Sequence, residues 1–143
     1  MGGVKVNFRV LRDNKALISR LASQGAQTAM QDVVNDLAKA SSGAAPHLTG
    51  RLEDSYTTEV GHDSAYRIKG TVSYSVSEGG YNYAIKMHEG NYNLGAGSQA
   101  KNGGQGMSGK SYPVGNKFLT RPLEGEADAY SKHLEKGIKN QLR

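Results

Sequence analysis

Cysteine is absent from this 143-residue chain, so neither a disulfide framework nor a thiolate metal site can form. That absence fits folding in a reducing cytoplasm. Tryptophan is missing too, and phenylalanine occurs twice and proline three times, against eight tyrosines and nineteen glycines. The length implies one domain, residues 1–143, and so few large apolar residues imply a modest core that a partner's surface helps to complete. No apolar run is long enough to span a bilayer, and Met1-Gly2-Gly3-Val4-Lys5-Val6 has no apolar segment of a secretory signal. The expectation is a soluble protein, intracellular when made, that makes no membrane contact.

Charge is present but unevenly spread. The net charge is +5 and the pI about 9.4. Residues 54–89 hold three basic and five acidic side chains, whereas 90–117 hold Lys101, Lys110 and Lys117 and no acid. A basic loop beside an acidic sheet suggests charge-matched subunits or contact with a polyanion. A solvated loop with a few lysines accounts for the same balance.

Residues 4–10 alternate apolar and polar, the pattern of a half-buried strand. Asp13 or Asn14 offers a helix cap, and from Leu17 apolar residues recur at 17, 18, 21, 22, 25, 26, 29, 30, 33, 34, 37 and 38. This predicts a long helix whose small residues, Ala22, Gly25, Ala26, Ala29 and Ala38, let it lie flat on a sheet. Ser41-Ser42-Gly43 and Pro46 end it. Arg51 to Ser55 suits one helical turn. Tyr56 to Val60 and Tyr66 to Val76 read as strands, with Gly61 to Ser64 as their hairpin connection. Tyr81 to His88 alternates more loosely; it fits a strand or a short helix and is assigned as strand. The last helix starts at Thr120-Arg121-Pro122, with Glu124, Glu126 and Asp128 near the positive end of its dipole. Its stripe is Leu123, Ala127, Tyr130, Leu134, Ile138 and Leu142. The expected fold class is α+β: an antiparallel sheet of about four strands packed by a long N-terminal and a C-terminal helix. Residues 90–117 are expected to form a flexible Gly-rich loop within that domain.

Chemistry is sparse. Gly104-Gln105-Gly106-Met107-Ser108-Gly109-Lys110-Ser111 meets the literal pattern of a phosphate-binding loop. It lacks the buried strand before it and the helix after it that such a site requires. The four histidines lie on different predicted elements without metal-ligand spacing. On a strand, His88 and Glu89 would point to opposite faces and could not converge. No Gly-x-Ser-x-Gly elbow occurs. The reading is no enzyme, no catalytic residues, no metal and no cofactor. A small basic nucleic-acid-binding protein is the alternative, although no zinc finger, helix-turn-helix or RNP pattern is present.

Three segments stand in order: Pro46/Thr49/Gly50/Leu52/Ser55, Tyr83/Ala84/His88/Glu89/Gly90, and Lys117/Phe118/Leu119/Pro122/Leu123. In this order, over nearly the whole chain, they resemble the head–tail joining (neck, tail-completion, minor capsid) proteins of tailed bacteriophages. The loop at 91–116 is longer and richer in glycine than that family's. The resemblance implies a structural subunit in a ring, a hexamer, joining the capsid connector to the tail tube. Other neck, connector and tail-tube proteins would be its partners, and DNA would pass through without sequence-specific binding. It would be made in the host bacterial cytoplasm and reside in the virion at the head–tail junction. Tyr83, Lys86, His88, Glu89, Tyr92, Leu94, Met107 and Tyr112 are the candidate subunit or ring contacts, and Lys101 and Lys110 the candidate DNA-facing residues. Tyr83 to Gly90 and Lys117 to Leu123 would then anchor one mobile connector arm.

Overall fold

The computed structural model describes residues 4–11, 20–64, 67–78 and 81–141. The architecture is α+β. Strand β1 (Val4–Leu11) precedes helix α1 (Arg20–Ala44), the single turn α2 (Arg51–Asp54), and strands β2 (Thr57–Ser64) and β3 (Arg67–Tyr74). These strands form one antiparallel sheet in the order β1-β3-β2. Two-residue strands β4 (Ser77–Glu78) and β5 (Tyr81–Asn82) pair with each other, and helix α3 (Tyr83–Glu89) follows directly. Helical turn α4 (Ala96–Gln99), the ribbon β6 (Gly104–Gln105) and β7 (Ser111–Tyr112), and helix α5 (Thr120–Gln141) complete the chain. The cap expected at Asp13 or Asn14 lies outside the described residues.

Helix α1 is the centre of the molecule, with the sheet against one side and α5 along another. The predicted stripe is what it buries: Ala29, Met30, Val33, Val34, Leu37 and Ala38 are at most 3% exposed. Full burial of each Val or Leu there contributes about 1.5–3 kcal/mol. Ile68, Val72 and Tyr74 of β3 and Tyr130, Leu134 and Ile138 of α5 close the core around it. Small residues set both spacings. A Cβ on Gly70 would stand 2.7 Å from Met30 Sδ and Val34 Cγ1, and one on Gly137 would stand 2.7 Å from Ala29 Cβ. The Gly25–Ala29 end of the small-residue face therefore receives α5, not the sheet alone.

Three expectations need correction. Among the described residues the main sheet has three strands, because the segment expected to be the fourth turns helical at Tyr83. Asn82 causes the change: its Oδ1 accepts from the Ile85 N–H at 3.3 Å and caps α3. The turn expected at Gly61–Ser64 is instead the end of β2, with a register shift between His62 and Ser64. Residues 90–117 follow an irregular path, yet they carry α4, β6 and β7 and are bonded to the body. Gly115 N donates to Ala44 O at 3.0 Å, and Lys101 Nζ donates to Ser42 O at 2.9 Å. The glycines make this possible by letting backbone approach backbone. A Cβ on Gly43 of α1 would stand 2.6 Å from Gly104 Cα and 2.8 Å from Gly103 O.

Candidate functional site

Helix α3 ends at Gly90, whose N–H returns to Lys86 O at 2.9 Å, and the preceding residue pair meets the start of α5. His88 is 3% exposed. Its Nε2 lies 3.4 Å from Thr120 N and 3.3 Å from Thr120 Oγ1, while Nδ1 lies 2.6 Å from Glu89 Oε2. Accepting the Thr120 N–H at Nε2 places the ring proton on Nδ1, where it donates to Glu89. The imidazole thus satisfies a helix-start N–H that has no partner within α5. Lys117 N donates to His88 O at 2.7 Å, and the Lys117 ammonium pairs with the other Glu89 oxygen. Hydrogen bonds from Lys117 and then His88 hold the Glu89 carboxyl below the usual carboxylate range. Lys117 itself takes a left-handed backbone, φ 54°, a conformation that costs about 1–3 kcal/mol and persists only where surrounding contacts enforce it. The expectation that His88 and Glu89 diverge is therefore overturned. On a helix end they hydrogen-bond each other and clasp a segment about thirty residues away.

Aromatic rings extend the clasp to the third segment. His88 meets Phe118 edge-on with centroids 5.0 Å apart, Phe118 meets Tyr74 at 5.1 Å, and Tyr74 meets Tyr56 at 6.2 Å. Such contacts contribute about 0.5–1.5 kcal/mol each beyond burial. Tyr56 directly follows the Pro46–Ser55 segment, so the row runs from the edge of that segment through β3 to Phe118 and His88. Tyr74 also reaches α1, its hydroxyl 2.6 Å from Ser41 Oγ, and burial pushes its phenol pKa up. Within the first segment, His47 Nδ1 lies 2.6 Å from Glu53 Oε1, and Glu53 Oε2 lies 3.1 Å from Lys101 Nζ. His47 N donates to Ser98 Oγ at 2.8 Å, which ties the segment to α4.

The loop with the nucleotide-site pattern is filled by the protein's own carboxylates. Glu126 of α5 is fully buried and accepts from Ser108 N at 2.8 Å, Ser108 Oγ at 2.5 Å and Tyr112 Oη at 2.7 Å. Burial would raise its pKa, but those three bonds and Lys110 outweigh burial and hold it below the usual range. Asp36 of α1 accepts from Met107 N at 2.9 Å and from Tyr130 Oη at 2.8 Å. Successive N–H groups of the hairpin tip thus meet one carboxylate from each helix. Sequence reading placed Glu126 among dipole-facing surface charges and put Ala127 in the buried stripe. At that turn alone the buried position is Glu126, which the hairpin satisfies, while Ala127 is exposed; Tyr130, Leu134 and Ile138 are buried as expected.

The other predicted contact residues divide between surface and interior. Lys86, Glu89 and Met107 are exposed, and Tyr83, Tyr92 and Leu94 half-buried. Tyr92 Oη donates to Met87 O at 2.6 Å, and burial pushes its pKa up to about 12. His88 and Tyr112 are committed inside the chain. Of the two candidate DNA-facing lysines, Lys101 is turned inward, onto the Ser42 and Ala45 carbonyls and Glu53. Lys110 is exposed and donates to Gly125 O at 3.1 Å. An open groove of about 240 Å³ runs between α1 and α5, with the His133–Asp32 pair, 2.9 Å apart, in its wall. Among the described residues no three His, Asp or Glu side chains could hold a metal ion, and no helix is long and apolar enough to cross a membrane. Comparison of the chain with family models, curated proteins and solved structures returned no match.

Proposed function

We propose that this protein is a structural subunit of a phage neck, a sixfold ring joining the capsid connector to the tail tube around the DNA channel. The observation that carries the reading is the Tyr56–Tyr74–Phe118–His88 ring row with the His88/Glu89–Lys117/Thr120 clasp. The second and third of the segments that carry the family resemblance meet at this junction, and the ring row reaches Tyr56, the residue that follows the first. Their polar groups are engaged with one another, His88 with Thr120 and Glu89, and Glu89 with Lys117. Residues of this kind serve architecture, and architecture is what a ring subunit supplies.

In this account the Gly-rich stretch 91–116 is the joining segment, and it displays its contacts from a braced hairpin. Met107 is its exposed apolar residue, at 39% exposure, between two backbone N–H groups fixed by Asp36 and Glu126. A bracing of this kind lowers the entropy cost of docking. A nucleic-acid-binding module has less support, because Lys101 is spent on the chain's own carbonyls. The protein is placed in the virion, after synthesis in the host bacterial cytoplasm, and its partners are neck, connector and tail-tube proteins. The test is removal of its gene from the phage that carries it. Filled heads and separate tails, rejoined in vitro by added protein, are the expected result; joined infectious particles would end the proposal.

A further inference from the structure

We infer that Asn102–Gly103 is a self-modification site, gated by docking of the β6–β7 hairpin on α1. When the hairpin lifts, Asn102 cyclises onto the Gly103 amide, and the isoaspartate that results keeps the hairpin from docking again. Neither step depends on the neck assignment.

Asn102 is exposed, and it is the only asparagine in the chain that is followed by glycine. Asparagine is among the thermally labile residues, because the main-chain nitrogen of the next residue attacks its side-chain carbonyl carbon. Glycine in that next position brings no Cβ to screen the nitrogen or to oppose the backbone rotation. In the first step the bond from Gly103 N to Asn102 Cγ forms and the bond from Cγ to Nδ2 breaks. Ammonia leaves with the Gly103 amide proton, and a succinimide ring remains. Water then adds to either ring carbonyl. Attack at Cγ restores the ordinary main chain with aspartate at 102. Attack at the main-chain carbonyl carbon leaves isoaspartate, in which the chain runs on through Cβ and Cγ. No electron is transferred, and water is the one co-reactant.

The docked fold pins the chain on both sides of this bond. Before it, Lys101 Nζ donates to Ser42 O and Ala45 O and lies 3.1 Å from Glu53 Oε2. After it, Gly103 takes φ 87°, and a Cβ there would stand 2.5 Å from Tyr112 O. Gly104 is packed closer still, since a Cβ on it would overlap Ala40 O of α1. Ring closure draws Gly103 N toward Asn102 Cγ and shifts both glycines out of these contacts. Cyclisation therefore waits for local opening of the hairpin. The product does not fit back. Isoaspartate adds one main-chain bond, about 1.5 Å, directly before two residues with no room for a single carbon. An opening that has reacted is permanent, and it costs Met107 N its bond to Asp36 and Ser108 N its bond to Glu126.

The test holds the full-length protein in mildly alkaline buffer, folded and in guanidinium chloride, and reads residue 102 by peptide mapping and mass spectrometry. Asn102 should convert in denaturant and at least about tenfold more slowly in the folded chain, where only the opened fraction reacts. Folded Gly43→Ala protein, whose new Cβ displaces Gly104, should fall between the two. If that variant does not fold, the denaturant comparison decides the gating alone. Refolded isoaspartate-102 protein is then compared with Asn102→Asp, which has the charge without the extra bond, by hydrogen exchange at Met107 and Ser108. Protection of these amides should be lost with isoaspartate and kept in Asn102→Asp, while Val33 and Leu37 stay protected in both. Asn102 that survives denaturant overturns the site. Equal rates folded and denatured, or a folded Gly43→Ala protein no faster than wild type, overturn the gating. Protected Met107 and Ser108 in the isoaspartate chain, or protection lost at Val33 and Leu37 as well, overturn the latch.

Discussion

Replacing Gly43 by alanine separates a braced hairpin from a free loop, because the two give opposite signs. Gly43 lies in the last turn of α1, where Gly→Ala alone is worth up to about 1 kcal/mol in helix propensity. If residues 90–117 moved freely, the variant would gain that amount. In the structure the new Cβ would stand 2.6 Å from Gly104 Cα, 2.8 Å from Gly103 O and 3.0 Å from Gly104 N, all backbone. Clearing them requires the hairpin to retreat from α1. Overpacking of this kind costs about 1–3 kcal/mol. The retreat also stretches Met107 N to Asp36 and Ser108 N to Glu126, bonds to charged groups worth about 1.5–3 kcal/mol each when lost outright. With partial loss and the propensity gain subtracted, the net is about 2–3 kcal/mol of destabilisation. At roughly 2.1 cal/mol/K per residue, 143 residues give an unfolding entropy near 0.30 kcal/mol/K, so Tm falls by about 7–10 °C. Gly115→Ala is the control: its Cβ would meet only the tip of Arg121 at 3.7 Å, and an effect of about 0.4–1 kcal/mol in the stabilising direction is expected. Calorimetry of the two variants decides the matter. A Gly43→Ala protein that melts above wild type would refute the packed hairpin.

Glu126→Gln should lose about 1–3 kcal/mol at neutral pH. Because the native carboxyl titrates below its unfolded value, its contribution is complete above about pH 4.3 and fades as the pH falls below that, so wild-type and variant melting curves should converge in acid. Phe118→Ala removes the middle of the ring row and should cost about 3–5 kcal/mol in urea unfolding. Magnesium nucleotide should produce no melting shift in the wild-type protein, since Glu126 occupies the loop's donors; a shift abolished by Lys110→Ala would contradict that. Met107→Gln, which adds no charge beside Asp36 and Glu126, should leave stability within about 0.5 kcal/mol, as an exposed tip, yet lower the yield of joined particles.

Where burial follows period, the fold was legible in the chain. The α1 stripe from Ala29 to Ala38 and the alternation Ile68, Gly70, Val72, Tyr74 are buried, although Thr71 between them is buried as well. Three features were hidden because each depends on a distant residue. Tyr83–Glu89 alternates well enough for a strand, and only the Asn82 cap and the bond to α5 decide for helix. The glycines at 103 and 104 read as disorder because their partner, Gly43, lies sixty residues earlier. Glu126 reads as a surface charge until the hairpin supplies three donors. The motif segments were visible as an ordered set, but the contact between the second and third was not, since nothing local tells that His88 meets Phe118 edge-on.

The central claim, that this chain is a phage neck subunit, is tested most directly by imaging intact tailed particles produced by the genome that encodes it. The account predicts six copies in one ring at the head–tail junction, coaxial with the tail tube, with Met107 hairpins turned toward a neighbouring protein. Particles in which the junction holds no copy of the chain, or holds a twelvefold ring of it, would contradict the account.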